Sequence, residues 1–169
     1  KSQLHWRASH LGGVQPSFGV ISLKSAELHV SNNKLNNASI VIDMTSFTVD
    51  NFEDEESKNK LTGHLQSADF FKVSDYPTSK FELTGIEEAS GEFNSRVTGN
   101  LTILDATKSI TFSANISISE NEIKIKSEDF AVDRTDWGLT YNTEGTEGVP
   151  TDYLIADDIG FTIDIAVSK

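Results

Sequence analysis

Cysteine is absent from the 169 residues, which excludes disulfides, thiolate metal sites and a lipid-bearing cysteine. Basic residues are scarce, 14 against 26 acidic, and the net charge is −12. A domain so charged repels phosphate backbones, so nucleic acid is not expected as a partner, nor attachment to a membrane through a basic face. No apolar run approaches the length that crosses a bilayer, so stable membrane insertion is not expected either and the chain reads as soluble. Catalytic signatures are missing: there is no Gly-x-Ser-x-Gly elbow and no phosphate-cradling glycine loop. The four histidines, His5, His10, His29 and His64, lack ligand spacing. The acidic run Glu53 to Glu56 lacks the alternate-residue spacing and the glycine of a calcium loop. No repeat of about 20–50 residues recurs. What the lacks leave open is glycoside hydrolysis, which needs only two well-placed carboxylates.

What is present is alternation. Hydrophobic residues make up 37% of the chain, enough for one domain over residues 1–169 with a core or a core plus a cavity. Leu4, Trp6 and Ala8 alternate with His5, Arg7 and Ser9, the period of a strand with one dry face. Phe18, Val20 and Ser22 oppose Gly19, Ile21 and Leu23, so both faces of that strand read as partly covered. Ser31-Asn32-Asn33-Lys34 reads as a turn, and Ala38 to Thr45 as a strand with Ile40, Ile42 and Met44 on one face. Phe81 with Leu83, and Val97 with Gly99, Leu101 and Ile103, continue the pattern. From Ile110 to Ile118 the alternation is one that no helix could bury. Ile123 and Ile125 restart it after a hairpin break, Phe130 and Val132 continue it after a slip or bulge, and Ile159 to Val167 close the chain. Residues 141 to 152, rich in Gly, Thr, Asn and Glu, read as a mobile loop.

Residues 49 to 81 break the period. Asp54, Glu55 and Glu56 at the start and Lys58 and Lys60 at the end follow the charge order a helix dipole favours. Asp54 with Lys58 and Glu56 with Lys60 stand at ion-pair spacing, and Gly63 reads as the C-terminal cap. The apolar residues that follow, Leu65, Phe70, Phe71, Tyr76 and Phe81, must pack against something, so the segment reads as a plug on a sheet. Short antiparallel strands around one helical segment suggest a sandwich or a closed barrel, and the barrel is preferred because closure removes exposed edges.

Several ordered blocks resemble one family. They include Leu4-His5-Trp6, Gly19-Val20-Ile21-Ser22-Leu23-Lys24, Val41-Ile42-Asp43-Met44-Thr45-Ser46 and Leu61-Thr62-Gly63-His64-Leu65-Gln66-Ser67-Ala68-Asp69-Phe70-Phe71. Tyr76-Pro77-Thr78-Ser79-Lys80-Phe81, Val97-Thr98-Gly99-Asn100-Leu101-Thr102-Ile103, Lys108-Ser109-Ile110-Thr111-Phe112 and Asp133-Arg134-Thr135-Asp136-Trp137-Gly138 complete them. Over nearly its whole length the chain resembles the YceI-like family of lipocalin-like, polyisoprenoid-binding barrels. It departs from the family pattern at Ser17-Phe18-Gly19, at Asn37-Ala38 and at Leu104-Asp105.

The resemblance implies an all-β, extended antiparallel lipocalin-like β-barrel with one short helical plug. It also implies a central tunnel for a long-chain isoprenoid or fatty lipid such as a prenyl quinone, a polyprenyl diphosphate or a fatty amide. Beyond that bound lipid it implies no cofactor, no metal and no catalysis. A periplasmic or secreted location, and a homodimer, are expectations of the same kind. The start Lys1-Ser2-Gln3, without methionine, reads by itself as the product of signal-segment removal, and fits simple trimming as well. The candidate lining is Trp6, Phe18, Ile40, Ile42, Met44, Leu65, Phe70, Phe71, Phe81, Leu101, Ile103, Phe112, Phe130, Arg134, Trp137, Tyr141, Phe161 and Ile163. The plainer reading of the same apolar faces is a filled core and a domain that serves as an interaction module. Arg134 reads either as half of an ion pair with a flanking Asp, or as the partner of a ligand head group, since a guanidinium suits diphosphate or a quinone carbonyl. His64 reads as a cap or backbone partner within the plug. A prenyl tail of ~40 carbons would gain on the order of 30 kcal/mol gross at about 0.8 kcal/mol per methylene. That exceeds the ceiling of about 20 kcal/mol seen for noncovalent binding, so tail ordering must consume much of it.

Overall fold

The computed structural model describes residues 2–169; Lys1, which begins the Lys1-Ser2-Gln3 opening, lies outside the described residues. Nine strands are antiparallel to their neighbours: β1 (Gln3–Ala8), β2 (Ser17–Ser31), β3 (Lys34–Asp43), β4 (Thr78–Glu88), β5 (Ser95–Ile103), β6 (Ala106–Ile118), β7 (Glu122–Ser127), β8 (Phe130–Asp133) and β9 (Asp158–Ser168). Consecutive strands pair from β1 to β7, β7 pairs with β9, and β9 returns to β1, so the sheet closes on itself. The second half of β9 pairs with β7 and its first half with β8. Two short strands therefore share one position of an eight-membered ring, a size whose interior is just wide enough for side chains or one small ligand. The slip expected between Ile125 and Phe130 is this break, at Glu128 and Asp129.

Register explains which residues face in. The pairs Leu4 with Ile21 and Trp6 with Gly19 put Gly19, Ile21 and Leu23 on the inner face of β2 and turn Phe18 out beside Arg7. Phe18 is 48% exposed, so the expectation that both faces of this strand are covered fails where Phe18 stands. Further along, Ile40 pairs with Phe81, Phe81 with Leu101 and Val97 with Phe112, and each pair points inward. Asn32 and Asn33 both hold positive φ, 53° and 58°, the conformation a two-residue hairpin requires. Leu104 also holds a positive φ, 55°, in the two-residue turn between Ile103 and Ala106.

β3 ends at Asp43, two residues before the expected Thr45. The Asp43 carboxylate accepts from the Thr45 amide and starts a short 3₁₀ turn, Met44–Ser46. The chain then runs back along β2: the amides of Thr48 and Asp50 donate to the carbonyls of Val20 and Phe18 at 2.9 and 2.8 Å. The helix α1 spans Glu55–Gln66, and Asp54 caps it by accepting from the Ser57 amide at 2.7 Å. Gly63 is not the cap. It lies within the helix, which ends three residues later at Gln66 because the amide and hydroxyl of the capping Ser67 both return to the His64 carbonyl. The ion pair present is Glu55 with Lys58 at 3.0 Å, since Asp54 is occupied at the cap. No residue of α1 is fully buried. The plug is therefore made by the segments flanking the helix, where Phe47, Val49, Phe70, Phe71 and Val73 are buried.

Candidate functional site

The inward faces do not meet across the middle of the barrel. They enclose an apolar cavity of about 120 Å³ that runs through the interior. At roughly 10–15 Å³ per water-sized group, this is room for on the order of ten methylenes. All nine strands contribute: Leu4, Trp6 and Ala8 from β1, Ile21 from β2, Leu35, Ala38, Ile40 and Ile42 from β3, Ser79, Phe81 and Leu83 from β4. Val97, Leu101 and Ile103 follow from β5, Ile110, Phe112 and Ile116 from β6, Ile125 from β7, Phe130 from β8, and Ile159, Phe161, Ile163 and Ile165 from β9. Met44, Phe47, Leu65, Phe70 and Phe71 close the end beside α1, together with Ile155, Ala156 and Arg134.

The wall is carbon. Ser79 and Arg134 are the polar residues in it, and neither turns a polar atom onto the cavity; among the described residues no carboxylate lines it. Aromatic rings organise the surface. Phe47 packs on Trp6 and Phe71 with centroids 5.8 and 5.3 Å apart, and Phe81, Phe112, Phe130 and Phe161 form a continuous row that ends beside Trp6, the cross-strand partner of Phe161. Within that row Phe112 and Phe130 stack nearly parallel, 4.7 Å apart. The Trp6 indole donates to the Thr48 carbonyl at 3.0 Å. That bond fixes the chain after Met44–Ser46 over the barrel end, and Gly19 makes it fit, because a Cβ there would overlap the Thr48 carbonyl.

Of the eighteen candidates, fifteen line the cavity and Phe18, Trp137 and Tyr141 do not. Phe18 is on the outer face. Trp137 is buried outside the cavity and donates from Nε1 to the Leu101 carbonyl at 2.9 Å, an anchor for the 3₁₀ turn Arg134–Trp137. Tyr141 packs on His64 and Phe70, both 5.0–5.2 Å away, and so supports the plug from outside. His64 bonds no backbone group through its ring: Nε2 meets Asp69 Oδ2 at 3.0 Å. Among the lining residues that sequence reasoning passed over are Leu4, Ile21, Leu35, Ala38, Phe47, Val97, Ile110, Ile125, Ile159 and Ile165. All but Leu35 and Phe47 share an alternation face with a chosen residue or its cross-strand partner, which was signal enough. Leu35 is offset by a bulge in the β2 and β3 pairing, and Phe47 is in no strand.

Arg134 is 1% exposed, and its guanidinium is engaged away from the cavity. Nη1 donates to the Leu139 carbonyl at 2.8 Å, Nε to Ala156 at 3.1 Å and Nη2 to Ile155 at 3.2 Å. Its nearest carboxylate is Asp157, 3.7 Å away, and not a flanking residue; Asp133 instead accepts from the Thr135 amide and hydroxyl. Burial pushes the Arg134 pKa down, and Asp157 and Asp133 partly offset that. A guanidinium stays protonated even so. The geometry is that of a clamp holding residues 134–139 to 155–157, and it leaves no donor aimed at a tail in the cavity.

The model of the YceI-like domain matches residues 1–167. A UPF0312 protein of Pseudomonas putida is 32% identical over 118 residues, 66% of this chain and 55% of the relative, so the match spans about half of that relative's length. Among solved structures, BcnA of Burkholderia cenocepacia superposes with a TM-score of 0.73 at 17% identity, over 98% of this chain and 96% of that one. A polyisoprenoid binding domain from Saccharophagus degradans, implicated in plant cell wall breakdown, superposes at 0.65 and 15% identity, over 98% and 92%. At those identities the two structures share the fold with this chain.

Proposed function

Since the chain belongs to the YceI-like domain family, we propose that it encloses the hydrocarbon tail of a long-chain amphiphile without catalysis, and so carries or sequesters it. A polyisoprenoid, a prenyl quinone or a fatty amide fits this description. The observation that carries the reading is the continuous cavity whose wall exposes carbon alone. Such a wall rewards a tail that water rejects and offers nothing to a polar substrate. The polyisoprenoid-binding description of the Saccharophagus degradans domain supports the same reading. Hydrolysis of glycosides has no support, because no carboxylate among the described residues reaches the cavity.

The dimensions set the scale of binding. About ten enclosed methylenes contribute on the order of 8 kcal/mol gross, the equivalent of a micromolar constant before ordering costs are subtracted. A tail of ~40 carbons exceeds the room present, so a ligand of that length has either a widened barrel around it or much of its tail outside. The acidic exterior, net −12, keeps the filled protein dispersed. A periplasmic or secreted location belongs to the same proposal, and cell fractionation checks it.

The test is the organic extract of protein purified without detergent, analysed by mass spectrometry. A long-chain lipid near equimolar ratio is expected. An empty extract, together with no uptake of a dansyl-labelled undecanoic acid, overturns the reading. Phe161→Arg places a charge against the carbon wall and should abolish retention in a folded variant.

A further inference from the structure

Among the described residues the strand ladders of the barrel wall are interrupted at two places: between residues 34–38 of β3 and 83–88 of β4, and along a seam between β6 and β8. β6 pairs with β5 from Ala106 to Ala114 but with β7 only from Ala114 to Ile118. β8, which continues β7 around the ring, pairs with β9 alone. Between residues 106–112 of β6 and Phe130–Asp133 there is no strand pairing among the described residues. The seam has defined ends. At one, the Glu128 amide donates to the Ser113 carbonyl at 2.9 Å and its carboxylate accepts from the Ser113 amide at 2.6 Å. At the other, Trp137 is tied to the Leu101 carbonyl.

An outer crevice follows the seam, lined by Ser109, Ile110 and Thr111 of β6 and by Phe130 to Asp133 of β8, with Asp136 and Trp137 of the turn that follows. Ile110 and Phe130 also line the interior cavity. Outside and inside are therefore separated at this place by two side chains, with no backbone ladder between them. Phe130 is held by its stack on Phe112 and by Phe161, 6.1 Å away. Along a paired stretch an opening between strands would break several backbone hydrogen bonds. Here it requires one ring to turn, and side-chain rotation is fast on the scale of ligand exchange.

We propose that the seam between β6 and β8 is a lateral portal, through which an aliphatic tail slides into the cavity past Phe130 as the gate. This rests on the tail-enclosing reading above, so the test separates equilibrium from rate. With no native cysteine, Thr111→Cys and Ala131→Cys on the exposed faces of the seam can be bridged by a reducible bis-maleimide. Stopped-flow fluorescence of dansyl-undecanoic acid then reads uptake and release, and a titration reads affinity. Bridged protein should take up and release the probe at least tenfold more slowly with unchanged affinity, and reductant should restore both rates. The same variant blocked singly with N-ethylmaleimide should behave as the parent. Phe130→Ala should speed both rates. Unchanged rates in bridged protein overturn the portal and place entry at a barrel rim or between the unpaired ends of β3 and β4. Loss of equilibrium binding by the unmodified parent overturns the tail-enclosing reading, and the portal with it.

Discussion

Gly99 faces inward, and a Cβ there would overlap the ring of Phe81 and crowd the Glu82 carbonyl. The ring lines the cavity, so Gly99→Ala should push it into the bore. The expected result is a shorter preferred tail by a few methylenes, read from the chain length at which fatty-acid affinity peaks. Gly19→Ala acts on stability instead, since it strikes the Thr48 backbone and dislodges the Trp6 indole bond. A cost of about 1–3 kcal/mol follows, seen in thermal denaturation as a fall of about 3–10 °C for a chain of this size. Arg134→Met leaves the buried Leu139 carbonyl and the half-buried carbonyls of Ile155 and Ala156 unpaired, and a buried carbonyl without a partner costs about 1–3 kcal/mol. The substitution should lower Tm strongly while weakening lipids with and without polar heads alike; selective loss of the former would give Arg134 a head-group role. At this scale the inner faces were largely legible, because parity along a strand assigns every second residue to one side. Phe18 shows the limit. Which parity faces in is set by the pairing of Trp6 with Gly19, a long-range fact that a large hydrophobic residue gives no hint of.

The helix α1 is held by its cap and by its neighbours. Its own apolar content is modest, Leu61 and Leu65 being half-buried against the core. The Ser57 backbone amide, and its side chain after it, hold the Asp54 carboxyl below its ordinary 3.8. A carboxyl depressed in the folded state adds stability above its unfolded pKa and loses it as pH falls through the folded value. Once the intrinsic pH dependence of exchange is divided out, protection of the amides of residues 55–58 should therefore fall below about pH 4. Asp54→Asn keeps a capping side chain and should flatten that dependence; an unchanged profile would show that the cap does not titrate. The existence of this helix was legible from the order of its charges, but its end was not. Gly63 stands mid-helix because the chain after Gln66 folds back, with the amides of Phe71 and Val73 donating to the Leu65 and Gln66 carbonyls. Tertiary packing of Phe70 and Phe71 extended the helix past a residue that favours stopping it.

For the whole molecule, the width of the bore governs what can be held. Calorimetry across a series of saturated fatty acids should show affinity rising by at most about 0.8 kcal/mol per methylene and levelling near the tenth. A continued rise well beyond that length would show that the barrel widens around its ligand. Closure itself was legible as a preference over a sandwich, from many short alternating strands that would otherwise leave edges. The interrupted position shared by β7 and β8 showed in the sequence only as a lost beat between Ile125 and Phe130. The ring is shut where its first strand meets its last: the Ser2 hydroxyl both donates to the Ala166 carbonyl and accepts from its amide, 164 residues away. Joining residue 169 to residue 2 by a short linker and cutting between Asn32 and Asn33 would make that most distant contact a local one. Such a circular permutant should fold faster, because less of the chain must be gathered before the circle shuts, while the channel inside it is unaltered.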